Sequence, residues 1–206
     1  IFGGAMIRAI LEGRKTQTRR VVGKITKGVL SRDGWRPFNP ELPEDRESMA
    51  FGSPYGGAGD LLWVRETLQR FGSGTAQYAA TIEGVPHRGL VPGDAVGRAL
   101  WQWKLNVLSS IHMPRWASRL TLRVESVRVE RLQEISEEDA QAEGVEPIFV
   151  PPLPPSPALP NGGCVLHETY LSAFARLWNS INGKKPGRAW ADSPWVWVIG
   201  FSVVKP

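Results

Sequence analysis

A small α+β barrel with peripheral helices is the fold class this sequence predicts, on three observations. Leu120, Leu122, Val124, Val127 and Val129 alternate with Thr121, Arg123, Glu125 and Arg128, with one break near Ser126. That period of two marks a long strand or a hairpin with one buried face. After Tyr170, the apolar residues Leu171, Phe174, Leu177, Trp178 and Ile181 return at helical spacing, the stripe of an amphipathic helix. Residues 195–201 (WVWVIGF) are apolar on both faces, as in a central strand. Strands in the middle of a mixed order, with helices before and after, suit a barrel with helices at its periphery.

The other elements follow in chain order. Met6, Ile7, Ile10 and Leu11 have helical spacing, and Gly13 stands where a left-handed residue ends a helix. Residues 31–59 are rich in Gly, Pro and charge without a period, which reads as a long surface insertion. Gly59-Asp60 is a turn feeding an apolar strand over 61–65. Residues 71–100 form a second insertion, with one strand at 77–82. Ser136 caps a short acidic helix opened by Glu137, Glu138 and Asp139 and closed by Gly144, so Glu143 lies in its last turn. Seven prolines within residues 147–160 bar any helix or paired strand, and this third insertion, near 146–165, reads as an exposed polyproline-like loop; a PxxP-binding partner is the alternative. At 206 residues and 42% hydrophobic side chains, residues 1–206 are expected to form a single domain carrying these insertions.

Composition excludes several classes. Cys164 is the single cysteine, so neither a disulfide framework nor a cysteine-based zinc site is expected. His87, His112 and His167 have no metal-ligand spacing. The glycines from Gly56 to Gly59 precede a strand rather than a helix, unlike a nucleotide-binding loop. No metal and no cofactor are therefore expected. No run approaches the roughly 18 apolar residues of a membrane span, and no basic-then-apolar leader is present. A cytoplasmic protein without a membrane partner is expected. The net charge is +5, yet residues 1–36 hold nine Lys or Arg against two Asp or Glu. This is the footprint of an anionic partner such as RNA, DNA or a nucleotide, with a solvated basic surface as the alternative.

The run Arg14-Lys15-Thr16-Gln17-Thr18-Arg19-Arg20 invites chemistry. A threonine hydroxyl becomes a nucleophile only beside a base, and a neutral lysine can be one. Like charges on Arg14, Arg19 and Arg20 would lower the Lys15 pKa, whereas a carboxylate would hold the lysine protonated. The alternative is that Lys15, Thr16 and Thr18 bond phosphate oxygens or cap the turn. Glu143 sits against the helix dipole, a mild local misfit. Residues 112–119 place His112, Arg115, Trp116 and Arg119 just before a strand. Arginines interleaved with an aromatic ring suit unpaired bases and phosphates, although Trp116 could instead close the barrel end. Trp63, Arg65 and Glu66 form a second aromatic and polar group, with Trp63 readable as core. Cys164 and His167 lack a third group for a catalytic dyad.

The segments from Gly13 to Arg20, the Gly59-Asp60 turn and the run from Glu138 to Gly144 together resemble the ASCH family, which has a PUA-like fold. Residues 112–119, 177–183 and 194–199 make the chain more closely similar to the longer ASCH-type proteins of bacteriophages and prophages. The resemblance implies a small β-barrel with flanking helices, and a cleft for RNA, single-stranded nucleic acid or a modified nucleoside in a bacterial host cell. It also implies similarity to small ASCH amidohydrolases that deacetylate N(4)-acetylcytidine. Laid on this sequence, their catalytic set is Lys15, Thr18 and Glu143: Thr18 attacks the amide carbonyl, Lys15 moves the proton, and Glu143 orients the lysine or assists the leaving amine. This chain is much longer than those enzymes, and its extra arginines and Trp116 favour a larger ligand such as an RNA or DNA strand. Other members of the family are ribonucleases or nucleic-acid binders. Three readings result: an amidohydrolase, an RNA-binding module or ribonuclease, and a phage assembly accessory without catalysis.

Overall fold

The computed structural model describes residues 2–23, 29–31, 34–36, 39, 41–72, 74–87, 92–150 and 166–204. In chain order these form α1 (Gly4–Leu11), β1 (Gln17–Val21), β2 (Val29–Ser31), β3 (Gly34–Arg36), α2 (Pro43–Phe51), β4 (Leu61–Trp63), β5 (Leu68–Phe71), β6 (Thr75–Tyr78), β7 (Val107–Leu108), β8 (Thr121–Arg131), α3 (Glu137–Ala142), β9 (Phe149–Val150), β10 (Leu166–His167), α4 (Tyr170–Asn182) and β11 (Trp195–Val204). The architecture is mixed helix and sheet, the α+β class that the periodicities predict. No described helix is long and apolar enough to cross a membrane.

The chain packs as two compact units, each with its own buried core. The first comprises residues 1–13, 54–126 and 200–206, the second residues 14–53 and 127–199. The division crosses β8 at the position where the sequence alternation breaks. Leu122 and Val124 are buried before it, and the buried set passes to Val129 after it. A strand that changes its core-facing register can serve two cores.

In the first unit, β4 pairs antiparallel with β8, Leu61 opposite Arg123 and Trp63 opposite Thr121. Helix α1 buries Ile7 and Ile10 with Val64, Leu120, Leu122 and Phe201. A three-stranded sheet has β5 between β6 and β7, over a core of Leu68, Ala76, Tyr78, Val85, Leu108 and Met113. Residues 71–100, expected as an insertion, therefore supply one core strand, β6, and the core residues Val85 and Ala99. The strand expected at 77–82 is instead Thr75–Tyr78, and the chain then turns so that the Tyr78 N–H donates to the Glu83 carbonyl. All four β6 residues are buried, the polar Thr75 and Gln77 as well as Ala76 and Tyr78, so the alternation of this four-residue strand does not separate a core face from a water face.

In the second unit, β11 lies between β1 and β8, the central place its two apolar faces predict. Val196 and Val198 pack with Leu132, Ile135, Ala140, Phe174 and Trp178. The Ser136 side chain caps α3 by accepting from the Asp139 N–H, and Thr169 caps α4 by accepting from Ser172. Gly13 and Gly144 take the left-handed conformation past their helices, at φ 75° and 76°, as their positions predict. Two expectations change. Within residues 31–59 the structure has α2, started by Pro43 with Glu44 and Asp45 in its first turn, a legible start signal on a helix without an apolar stripe. Phe149–Val150 pairs with Leu166–His167 despite the neighbouring prolines. Residues 151–165, which hold the other six prolines and Cys164, lie outside the described residues.

Ile82 is a β-branched residue at φ 63° with 66% of its surface exposed. Its Cβ crowds the backbone there, and no buried packing compensates. Ile82→Asn should therefore stabilise the chain by about 1 kcal/mol, read as a higher urea midpoint at unchanged slope. A lower midpoint would show that the exposed isoleucine contributes packing.

Candidate functional site

In the second unit the chain leaves Gly13 in extended form, and the Thr16 N–H donates to the Ala142 carbonyl at the end of α3. Lys15 bridges Glu143 across this short ladder. Extended backbone sends alternate side chains to opposite faces. Lys15, Gln17 and Arg19 are buried, whereas Thr16 is exposed and Thr18 and Arg20 are only half-buried. The buried set turns to α3 and β8, where Asp139 and Glu143, four residues apart, share a helix side.

Lys15 and Glu143 are 1% and 4% exposed. The Lys15 ammonium donates to Glu143 Oε2 at 2.7 Å, to the Glu143 carbonyl at 2.8 Å and to the Gln17 carbonyl at 2.8 Å. Arg19 donates to the other Glu143 oxygen at 3.1 Å, to Glu130 Oε1 at 2.7 and 3.0 Å, and to Asp139 Oδ2 at 2.8 Å. Arg128 completes the set, reaching Glu130 Oε2 at 2.9 Å and also Asp139. Gln17 Nε2 donates to the Asp139 carbonyl at 2.7 Å. Three cations thus face three carboxylates, and Arg19 also lies 5.8 Å over the Phe174 ring of the core.

Burial lowers the Lys15 pKa below the usual lysine value, against the opposing charge and hydrogen bond of Glu143. Three acceptors around one nitrogen suit the ammonium form, which has three protons to give and no lone pair. Desolvation likewise disfavours the Arg19 cation, but Glu143, Glu130 and Asp139 outweigh it and raise its pKa. Glu143 at the α3 C-terminus, a misfit by the dipole alone, is thereby compensated.

The structure brings Lys15 to Glu143, and Thr18, between Gln17 and Arg19, faces the other side of the strand. Arg14 lies at the rim, its guanidinium 3.1 Å from Glu146. Glu130, Asp139, Gln17 and Arg128 complete the cluster without having been singled out in the sequence. The Lys15, Gln17, Arg19 alternation and the Asp139, Glu143 spacing were the available signals.

The remaining candidates lie in the first unit. The half-buried Trp63 ring has the Arg65 guanidinium 4.6 Å and the Arg115 guanidinium 5.4 Å from its centroid, within cation–π range. Arg65 also donates to the Ile111 carbonyl at 3.1 Å, beside the exposed His112. Among the described residues no carboxylate pairs with either arginine. Glu66 is buried and takes a two-pronged contact from Arg119, at 2.9 and 2.7 Å. Arg119 also contacts Glu83 and lies over Tyr78. Glu66 is therefore already paired with Arg119 within the fold. Trp116 is half-buried beside Trp103.

Among the described residues no group of three His, Cys, Asp or Glu could hold a metal ion. No family model, curated protein or solved structure matches this chain.

Glu143→Gln should cost about 3–5 kcal/mol of stability, because it leaves two buried cations short of a charge. Chemical denaturation checks this, and an unchanged midpoint would remove the cluster's structural role. Asp139 supplies a pH signature. Partial burial would raise its pKa, but Gln17, Arg128 and Arg19 outweigh that and hold it below its ordinary value of 3.8. The folded state then binds this proton less tightly than the unfolded state, so the contribution is full above 3.8 and lost as pH falls through the depressed value. The stability difference between wild type and Asp139→Asn should stay flat from pH 7 to about 5 and shrink below about 4. A difference that grows on acidification would reverse the sign.

Proposed function

We propose that this chain is an ASCH-type protein of PUA-like fold that binds RNA or another nucleic acid. The observation that supports this reading best is Trp63 with Arg65 and Arg115: one aromatic face, two exposed guanidiniums, and no carboxylate among the described residues to neutralise them. The second unit holds the same arrangement in neutralised form. There Trp195 has Arg46 and Arg131 over its ring at 4.9 and 4.4 Å, yet Arg131 pairs with Glu41 at 2.8 Å and Arg46 approaches Glu134 at 4.0 Å. By sequence the first unit carries ten Lys or Arg against six Asp or Glu, and the second fifteen against fourteen. The surplus that attracts a polyanion therefore belongs mainly to the unit with the open arginines.

The amidohydrolase reading draws on the meeting of Lys15 and Glu143. It requires Thr18 to reach Lys15 and Lys15 to release a proton, and neither the strand alternation nor the three donated hydrogen bonds favours this. Binding is accordingly the function proposed.

Fluorescence anisotropy with a labelled RNA across a salt series tests it. The Arg65→Ala, Arg115→Ala double variant should weaken binding at least about tenfold and reduce the slope of log affinity against log salt by about 1.4, as two lost phosphate contacts require. Absence of salt-sensitive binding in the wild type would overturn the proposal and favour an assembly role. Release of cytidine from N(4)-acetylcytidine, abolished by Thr18→Ala, would instead establish the hydrolase.

A further inference from the structure

The first unit holds a second aromatic group that the phosphate-binding arginines do not explain. Trp103 and Trp116 lie within 13° of parallel with centroids 6.5 Å apart, and Trp101 meets Trp103 edge-on at 4.8 Å. Trp101 Nε1 donates to the Leu105 carbonyl at 2.9 Å, which fixes the outer ring. All three indoles are half-buried and pack on the core of Leu68, Val85, Leu108 and Met113. Each thus has one part seated on the core and another open to water. Around them Leu105 is 74% exposed, and Phe71, brought beside it where Arg70 N donates to the Asn106 carbonyl, is 50% exposed. An apolar surface of this kind, held rigid rather than folded inward, marks a site of contact.

Charge decides what it contacts. Arg115 and Trp116 are successive residues of one 3-10 turn (Arg115–Ala117), and that turn directs the guanidinium to Trp63 and the indole to Trp103. Aromatic faces and guanidiniums that no carboxylate among the described residues pairs with are therefore interleaved over neighbouring residues. Base faces are available for stacking only when a strand is unpaired, because a duplex stacks them on one another. Rings already immobilised by their neighbours lose little conformational freedom on binding.

We infer that the tryptophans at 101, 103 and 116 form a stacking platform for the bases of a single-stranded nucleic acid, whose phosphates pair with Arg65 and Arg115. This rests on the nucleic-acid reading above and narrows it to unpaired strands, with affinity drawn from base faces as well as from phosphates.

The test uses the full chain with three labelled probes of equal length: a single-stranded DNA, the same backbone with its bases removed, and the corresponding duplex. Anisotropy gives affinity, and intrinsic tryptophan fluorescence reports stacking. The base-bearing strand should bind about tenfold or more tighter than the abasic strand or the duplex and should quench the indoles. Trp103→Leu should remove that preference while leaving the salt slope unchanged, and Trp103→Phe should restore part of it. Equal affinity for base-bearing and abasic strands, or a duplex preference, would overturn the platform while leaving the phosphate reading intact. No salt-sensitive binding of any probe would overturn both. Indole quenching by a proline-rich peptide but by none of the nucleic acids would assign the face to a peptide and also overturn the proposal. Because the probe comparison needs only the wild-type chain, a variant that fails to fold does not block it.

Discussion

Burying Lys15 against Glu143 imposes the constraint around which the second unit is arranged. A lone buried charge is expensive, and a pair is tolerated only when its remaining donors and acceptors are met. The Lys15 ammonium meets its need with two carbonyls and one carboxylate oxygen, and Arg19 takes the other oxygen of Glu143. Arg19 in turn draws in Glu130 from β8 and Asp139 from α3, and Arg128 balances those two. One strand, one helix and the following half of β8 are therefore held in register by a closed set of charges. The Phe174 ring beneath Arg19 joins that set to the apolar core.

Such closure limits what these groups can do chemically. Each oxygen of Glu143 already accepts from a cation, and an ammonium whose three protons are all donated has no pair of electrons to offer. Lys15, Arg19 and Glu143 are thus already engaged with one another within the fold. In the first unit the balance is reversed, because Arg65 and Arg115 face a tryptophan and water with no carboxylate from the described residues. The two tryptophan–arginine groups are alike in composition and differ in that Glu41 and Glu134 stand by the arginines of one, whereas no carboxylate among the described residues pairs with those of the other.

Much of the architecture was legible from local signals. Helices α1, α3 and α4 follow from their periodicity, caps and terminal glycines, and β11 from its unbroken apolar run. Helix α2 was missed because it has no apolar stripe, although Pro43, Glu44 and Asp45 announce its start. Strand β6 was misplaced because it is only four residues long and ends at Tyr78, where the chain turns so that the Tyr78 N–H donates to the Glu83 carbonyl. At the site, the Gln17 and Arg19 alternation was present in the sequence, but its meaning depended on knowing that this stretch is extended.

By itself the sequence determined the α+β class, the helices with strong caps, the central terminal strand, and the concentration of cationic residues before position 36. These depend on interactions within a few residues, where spacing and propensity are sufficient. Only the tertiary structure decided that Lys15 and Arg19 are neutralised by carboxylates more than a hundred positions away, that Glu66 belongs to Arg119, and that Arg65 and Arg115 stand at Trp63 without a carboxylate from the described residues. A charge is available to a partner only if the fold leaves it without one, and that is settled by which distant segments meet.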